Sequence, residues 1–175
     1  MKLNHVGVYG GGRVGAGIAH AFLMTGARVV VVDLDPVAAQ ERIVRDITTS
    51  LAEGAPGTLV EHLGRLACVK DPAGFAGCQL VIEAMPEDFD LKVSAFADIT
   101  KVTPGAIIAT TTSSLSVTDL AATTLQPDRV IGLRFSAPVL DSETVEIVVA
   151  DTTRPDLIDV ARGWVSDQGK TPKVG

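Results

Sequence analysis

The chain is short of the residues from which most reactive sites are built. It has three histidines, His5, His20 and His62, and none after them; Asn4 is its one asparagine. Two cysteines, Cys68 and Cys78, stand ten apart with no second pair to complete a metal cage. They read as buried or half-buried thiols of a reducing compartment. Basic residues are few and scattered: 15 Lys and Arg against 21 Asp and Glu leave a formal net charge of −6. That balance argues against nucleic acid or an anionic membrane as the main partner. It does not argue against an anionic ligand, because a helix N-terminus binds phosphate without basic side chains. No apolar run approaches the ~20 residues of a membrane span. Met1-Lys2-Leu3-Asn4-His5 carries no signal-peptide pattern, so a soluble, cytoplasmic protein is expected.

What is present is an alternation of short Val/Ile-rich runs with longer amphipathic stretches, the pattern of an α/β fold with a largely parallel sheet. Strands are expected at Asn4–Tyr9, Arg28–Asp33, Leu66–Val69, Gln79–Glu83, Ala106–Thr110, Val130–Leu133 and Thr144–Val149. Helices are expected from about Val14 to Thr25, closed by Gly26, and from Asp35-Pro36 onward in two pieces broken around Gly54–Gly57. Two more are expected from Glu87 to about Val102 and from Pro155 to Asp167, with Gly169-Lys170-Thr171-Pro172 read as a closing turn. No repeat or low-complexity linker divides the chain, so residues 1–175 read as one doubly wound, Rossmann-type domain.

The first strand runs into Gly10-Gly11-Gly12-Arg13-Val14-Gly15, spaced G-x-G-x-x-G. Alone that spacing is weak; between a strand and a helix it has a mechanism. Gly10 permits the tight turn, Gly12 lets backbone approach a pyrophosphate, and Gly15 lets helix pack close to strand. The free N–H groups of Arg13 and Val14 and the helix dipole then hold negative charge. The Arg13 side chain reads either as an exposed loop arginine or as a phosphate contact. Asp33 follows eighteen residues after Gly15, at the end of the second strand, placed to accept ribose hydroxyls. It would repel a 2′-phosphate, and no Arg or Lys follows in Asp33-Leu34-Asp35-Pro36, which favours NAD over NADP. The competing reading is a glycine turn and a solvated acid with no ligand.

Further blocks come in order: Val81-Ile82-Glu83-Ala84-Met85-Pro86-Glu87-Asp88, Thr112-Ser113-Ser114-Leu115-Ser116, Ile131-Gly132-Leu133-Arg134-Phe135, Pro138-Val139, Val145-Glu146-Ile147-Val148 and Gly169-Lys170-Thr171-Pro172. Together they resemble the N-terminal, NAD-binding domain of the 3-hydroxyacyl-CoA dehydrogenases, over essentially the whole chain. The resemblance implies NAD-dependent oxidation of a 3-hydroxyacyl thioester to the 3-ketoacyl thioester. In that family a histidine takes the hydroxyl proton, a glutamate supports the histidine, and a serine and an asparagine hold the substrate oxygen. Ser113 matches the serine and Glu146 the glutamate, while Glu87 and Lys92 fit the start of a helix near the cofactor. The histidine position reads Arg134, and the asparagine positions read Ala137 and Thr111.

A guanidinium has a pKa above about 12 and only donors, so Arg134 cannot accept an alcohol proton at neutral pH. It would pair with Glu146, suit a carboxylate, or polarise a carbonyl in the reductive direction. Two functions follow: an oxidoreductase of this type using Ser113, Arg134 and Glu146, or a silent or partner-dependent NAD-binding module. The family's helical second domain is not among these residues, so a homodimer or partner chain is expected to cover apolar surface. Ser113 also reads as a helix-capping hydroxyl, and Glu87 and Lys92 as solvated face charges. Tyr9, Phe135 and Trp164 read as packing residues.

Overall fold

The computed structural model describes residues 1–175. The unbroken run Val29-Val30-Val31-Val32 lies in β2 (Arg28–Val32) and is buried throughout, as a strand covered on both faces must be. Around it lie β1 (His5–Tyr9), β3 (Leu66–Val69), β4 (Leu80–Glu83), β5 (Ile107–Thr110), β6 (Val130–Phe135), β7 (Thr144–Val149) and β8 (Thr171–Val174). They form one sheet in the order β3-β2-β1-β4-β5-β6-β7-β8. All neighbours pair in parallel except β6 with β7. The order runs outward in both directions from β1, and that reversal opens a crevice at the carboxyl ends of the strands.

The helices are α1 (Arg13–Met24), α2 (Pro36–Ala52), α3 (Leu59–Leu63), α4 (Phe89–Val102), α5 (Val117–Ala121) and α6 (Pro155–Asp167). One face of the sheet is sealed by Ile18 and Phe22 of α1, Ile43 and Ile47 of α2, and Leu157 and Trp164 of α6. The other face carries Phe75 from the short turn Pro72–Phe75, Phe96 and Ile99 of α4, and Leu120 of α5. This is the doubly wound α/β arrangement expected. Asp35 caps α2 through the Ala38 N–H, with Pro36 in the first turn, and Ser116 caps α5 through the Asp119 N–H.

Three segments differ from expectation. Residues 171–174 form a strand rather than a turn: Thr171 N–H bonds to Glu143 O at 2.8 Å and Gly175 N–H to Ile147 O at 3.0 Å. Strand β7 offers an open edge, and pairing there outweighs the turn-forming composition; Pro172 is tolerated because β8 is the outer strand. Strand β6 continues two residues past Leu133, held by pairing of Arg134 with Glu146 and Phe135 with Val145. Helix α5 is a single short turn that periodicity cannot register. The free thiols follow expectation: Cys78 is buried and Cys68 half-buried. Burial pushes them up to about 12 and about 11, with Asp33 adding to the effect at Cys68. No helix is long and apolar enough to cross a membrane.

Candidate functional site

The loop between β1 and α1 is shaped by its glycines. Gly10 has φ +99°, and a Cβ on Gly15 would lie 1.8 Å from the Gly10 carbonyl oxygen. Both positions therefore exclude a side chain, one by conformation and one by contact. Gly12 differs, because a Cβ there would meet nothing within 4 Å. Its lack of a side chain leaves open space in front of the helix. No side chain caps α1 and no acid stands in its first turn. The orphan N–H groups of the first turn, from Gly12 to Gly15, thus face that space unpaired. Arg13 is exposed beside them.

Asp33 closes the loop from the end of β2. Its Oδ2 accepts the Gly11 N–H at 2.7 Å and its Oδ1 the Asp35 N–H at 2.8 Å. A carboxylate has about four acceptor sites, so capacity for two hydroxyl donors remains. Arg42 of α2 donates to the Gly11 carbonyl at 3.0 Å and pins the loop from behind, a role no spacing rule signals. These residues fit a dinucleotide by the observation that matters: an uncapped helix start, an empty approach over Gly12, and a half-buried acid across the loop.

Beneath the next loops lies a buried charge pair between Glu83 and Lys92, a lysine for which the sequence offered a place near the cofactor or a solvated face. Lys92 is 1% exposed and Glu83 0%. The Lys92 ammonium donates to Glu83 Oε1 at 2.8 Å, Glu83 Oε2 at 3.1 Å and the Met85 carbonyl at 3.1 Å, which uses its three protons. Glu83 also accepts from Met85 N–H at 2.6 Å and Thr110 Oγ1 at 2.6 Å. Lys92 is thus neither a solvated charge nor exposed to a ligand, and contact with a cofactor would require exchanging one of these bonds. Its site is legible only in the fold, because β4 and β5 must pair before Glu83 and Thr110 meet.

Glu87 stands above this pair, with one oxygen 3.8 Å from the Lys92 ammonium. It accepts from Thr112 Oγ1 at 2.6 Å, Ser113 N–H at 2.8 Å and Ser113 Oγ at 2.9 Å. Partial burial pushes its pKa up, but these bonds and the Lys92 charge outweigh that and hold it below the usual carboxylate value. Ser113 caps no helix; that task falls to Ser116. Its hydroxyl points its proton at Glu87 and keeps its lone pairs free.

Arg134 and Glu146 face each other as register partners across β6 and β7, and Lys173 pairs with Glu146 from β8. The three form a row of cation, anion, cation on one face of the sheet. Arg134 Nε donates to the Thr112 carbonyl at 2.8 Å, and Nη1 lies 3.3 Å from Glu146 Oε2. Ser113, Arg134, Ser136, Glu146 and Lys173 line one cleft of about 460 Å³. Lys173 was missed because its segment read as a turn. A larger hollow of about 610 Å³ lies at the amino ends of the strands, lined by Met1, Phe22 and Trp164, and contains none of the expected site residues.

No imidazole lines the cleft. His20 is buried on α1, its Nε2 2.9 Å from Ser50 Oγ. Burial, aided by the charges of His62 and Lys170, lowers its pKa to about 4, so it is neutral at pH 7. His62 bonds to the Pro56 carbonyl and to Arg65. Tyr9 packs edge-on against Phe75 and donates to Asp98 at 2.8 Å. Trp164 is a core residue.

Residues 5–174 match the family model for the 3-hydroxyacyl-CoA dehydrogenase, NAD binding domain. The chain is 33% identical, over 98% of its own length, to a 3-hydroxybutyryl-CoA dehydrogenase of Bradyrhizobium diazoefficiens. It superposes on the crystal structure of (S)-3-hydroxybutyryl-CoA dehydrogenase from Ralstonia eutropha with a TM-score of 0.88 at 32% identity, covering 99% of the chain. For 3-hydroxybutyryl-CoA dehydrogenase from Escherichia coli the TM-score is 0.90 at 30% identity, again covering 99% of the chain. The chain spans 61%, 63% and 38% of these three proteins, respectively. It belongs to the family of 3-hydroxyacyl-CoA dehydrogenase NAD-binding domains.

Proposed function

We propose that this domain holds NAD along the carboxyl edge of its sheet and presents a hydroxy- or oxoacyl substrate to the Ser113–Arg134–Glu146 cleft. The observation that supports this reading is the convergence of those three side chains on one cleft, at the edge that also carries the uncapped glycine loop. The Gly12–Gly15 N–H groups and Arg13 would hold the pyrophosphate, and Asp33 the ribose. Bound NAD supplies hydride exchange. Glu87 fixes the loop that carries Ser113, whose free lone pairs receive a substrate proton donor. Arg134 donates to a substrate oxygen, and Glu146 and the Thr112 carbonyl hold the guanidinium in place. The relatives' names point to acyl thioesters as the substrate class, and the reading extends to a cytoplasmic protein that works as a homodimer or with a partner chain.

A second reading has its own support: with no imidazole in the cleft, the domain binds NAD without turnover of its own. NADH binding followed by fluorescence, and NADH consumption with acetoacetyl-CoA, separate the two on wild type and Arg134→His. Turnover by wild type supports the first reading. NADH binding with activity gained only on Arg134→His supports the second, since general-base catalysis contributes roughly 10²–10⁴ in rate. Absence of NADH binding overturns both.

A further inference from the structure

Arg134 is held in a fixed orientation and left with donors to spare. A guanidinium carries five N–H groups. Nε–H is taken by the Thr112 carbonyl at 2.8 Å and one Nη1–H by Glu146 at 3.3 Å. The other three have no partner, and the side chain, 29% exposed, lines the cleft. The surrounding charge points the same way. In the row Arg134–Glu146–Lys173 one carboxylate stands between two cations, while the Glu87 carboxylate across the cleft is engaged by Thr112, Ser113 and the Lys92 charge. Glu146 is itself 46% exposed, which lets water weaken its field. Across the cleft, Ser113 has turned its proton to Glu87.

We infer that this cleft takes a substrate bearing a carboxylate close to the reacting carbon, bound on the open edge of the Arg134 guanidinium. The inference rests on the reading of the domain as NAD-binding and narrows its substrate class. The three N–H groups left over are charged donors suited to the two oxygens of a carboxylate, whereas a neutral carbonyl offers a single oxygen and no charge. Because two other bonds already orient the fork, little ordering entropy is lost when the anion binds. Lys173, exposed at the rim, adds long-range attraction that salt will screen.

The test separates the two layers. NADH is titrated first, by its fluorescence, which examines the nucleotide reading alone. Malonate and its neutral isostere malonamide are then titrated calorimetrically into the wild-type protein, with and without NADH. Malonate is expected to bind at least about tenfold more tightly than malonamide, the scale of a charge-assisted bidentate pair. Arg134→Gln should erase that preference with NADH affinity unchanged, and Arg134→Lys, which keeps the charge without the fork, should restore only part of it. Lys173→Gln should lower malonate affinity a few-fold, mostly at low salt. Equal affinity for malonate and malonamide overturns the inference, as does a preference that survives in Arg134→Gln. Reduction of acetoacetyl-CoA by wild type, uninhibited by malonate, also overturns it by assigning Arg134 to a carbonyl oxygen. Failure to bind NADH refutes the nucleotide reading, while malonate binding to the free protein still decides the carboxylate site.

Discussion

Replacing Lys92 by methionine isolates the charge pair beneath the site. The methionine keeps most of the side chain's volume and removes the ammonium. At 2.8 Å, two unit charges attract by about 6 kcal/mol at an effective dielectric constant near 20. The substitution also relieves the cost of burying the ammonium, and Glu83 keeps its bonds from Thr110 and the Met85 N–H. The net loss expected is about 3–5 kcal/mol, the usual result of leaving one member of a buried pair alone. For a domain of this size, where 1 kcal/mol moves Tm by about 2–4 °C, melting should fall by about 6–20 °C. Glu83→Gln combined with Lys92→Met removes both charges and keeps an oxygen acceptor for Thr110. The double variant should return to within about 2 kcal/mol of wild type. Chemical denaturation of wild type, Lys92→Met, Glu83→Gln and the double variant completes the cycle. A single-variant loss below about 1 kcal/mol, or a double variant no better than Lys92→Met, would refute the reasoning.

The glycine loop offers a paired contrast. Gly15→Ala drives a Cβ into the Gly10 carbonyl and should cost about 3 kcal/mol or more of stability, read by urea unfolding. Gly12→Ala meets only open space, so stability should change by less than about 1 kcal/mol while NADH affinity falls about tenfold or more. Equal stability effects at the two positions would contradict this account. His20 predicts a pH dependence. Its folded pKa of about 4 lies below the unfolded value near 6.5, so it contributes stability above pH 6.5 that is lost as pH falls toward 4. Wild type should lose up to about 3 kcal/mol more than His20→Gln between pH 7 and pH 4. Parallel denaturation at the two pH values checks the sign. Glu87→Gln should loosen the Ser113 loop and weaken substrate binding while leaving Tm within a few degrees, since Glu87 is partly exposed.

The doubly wound fold was legible because its signals are local. Val29–Val32 reads as a strand buried on both faces, Asp35-Pro36 as a helix start, and the G-x-G-x-x-G run as a strand-to-helix turn. Each depends on residues within a few positions of one another. The proposed nucleotide half of the site shares that property, since Gly10, Gly12, Gly15 and Asp33 lie on two consecutive strand-to-helix units. The errors fell where long-range pairing outweighed local preference. Residues 171–174 have turn composition but pair with β7, and Lys92 has the composition of a surface charge but is buried on Glu83.

Local periodicity and turn chemistry, which act over a few residues, therefore settled the order of elements and the glycine loop, and the family resemblance drew attention to Arg134. Tertiary structure alone decided what that arginine touches. Sheet register set Arg134 opposite Glu146 and brought Lys173 to the same row, and the β5 loop lent it the Thr112 carbonyl. These partners come from strands far apart in the chain, and no pattern along the sequence encodes which of them will meet. Pairing across the sheet, driven by burial of its two faces, makes that selection.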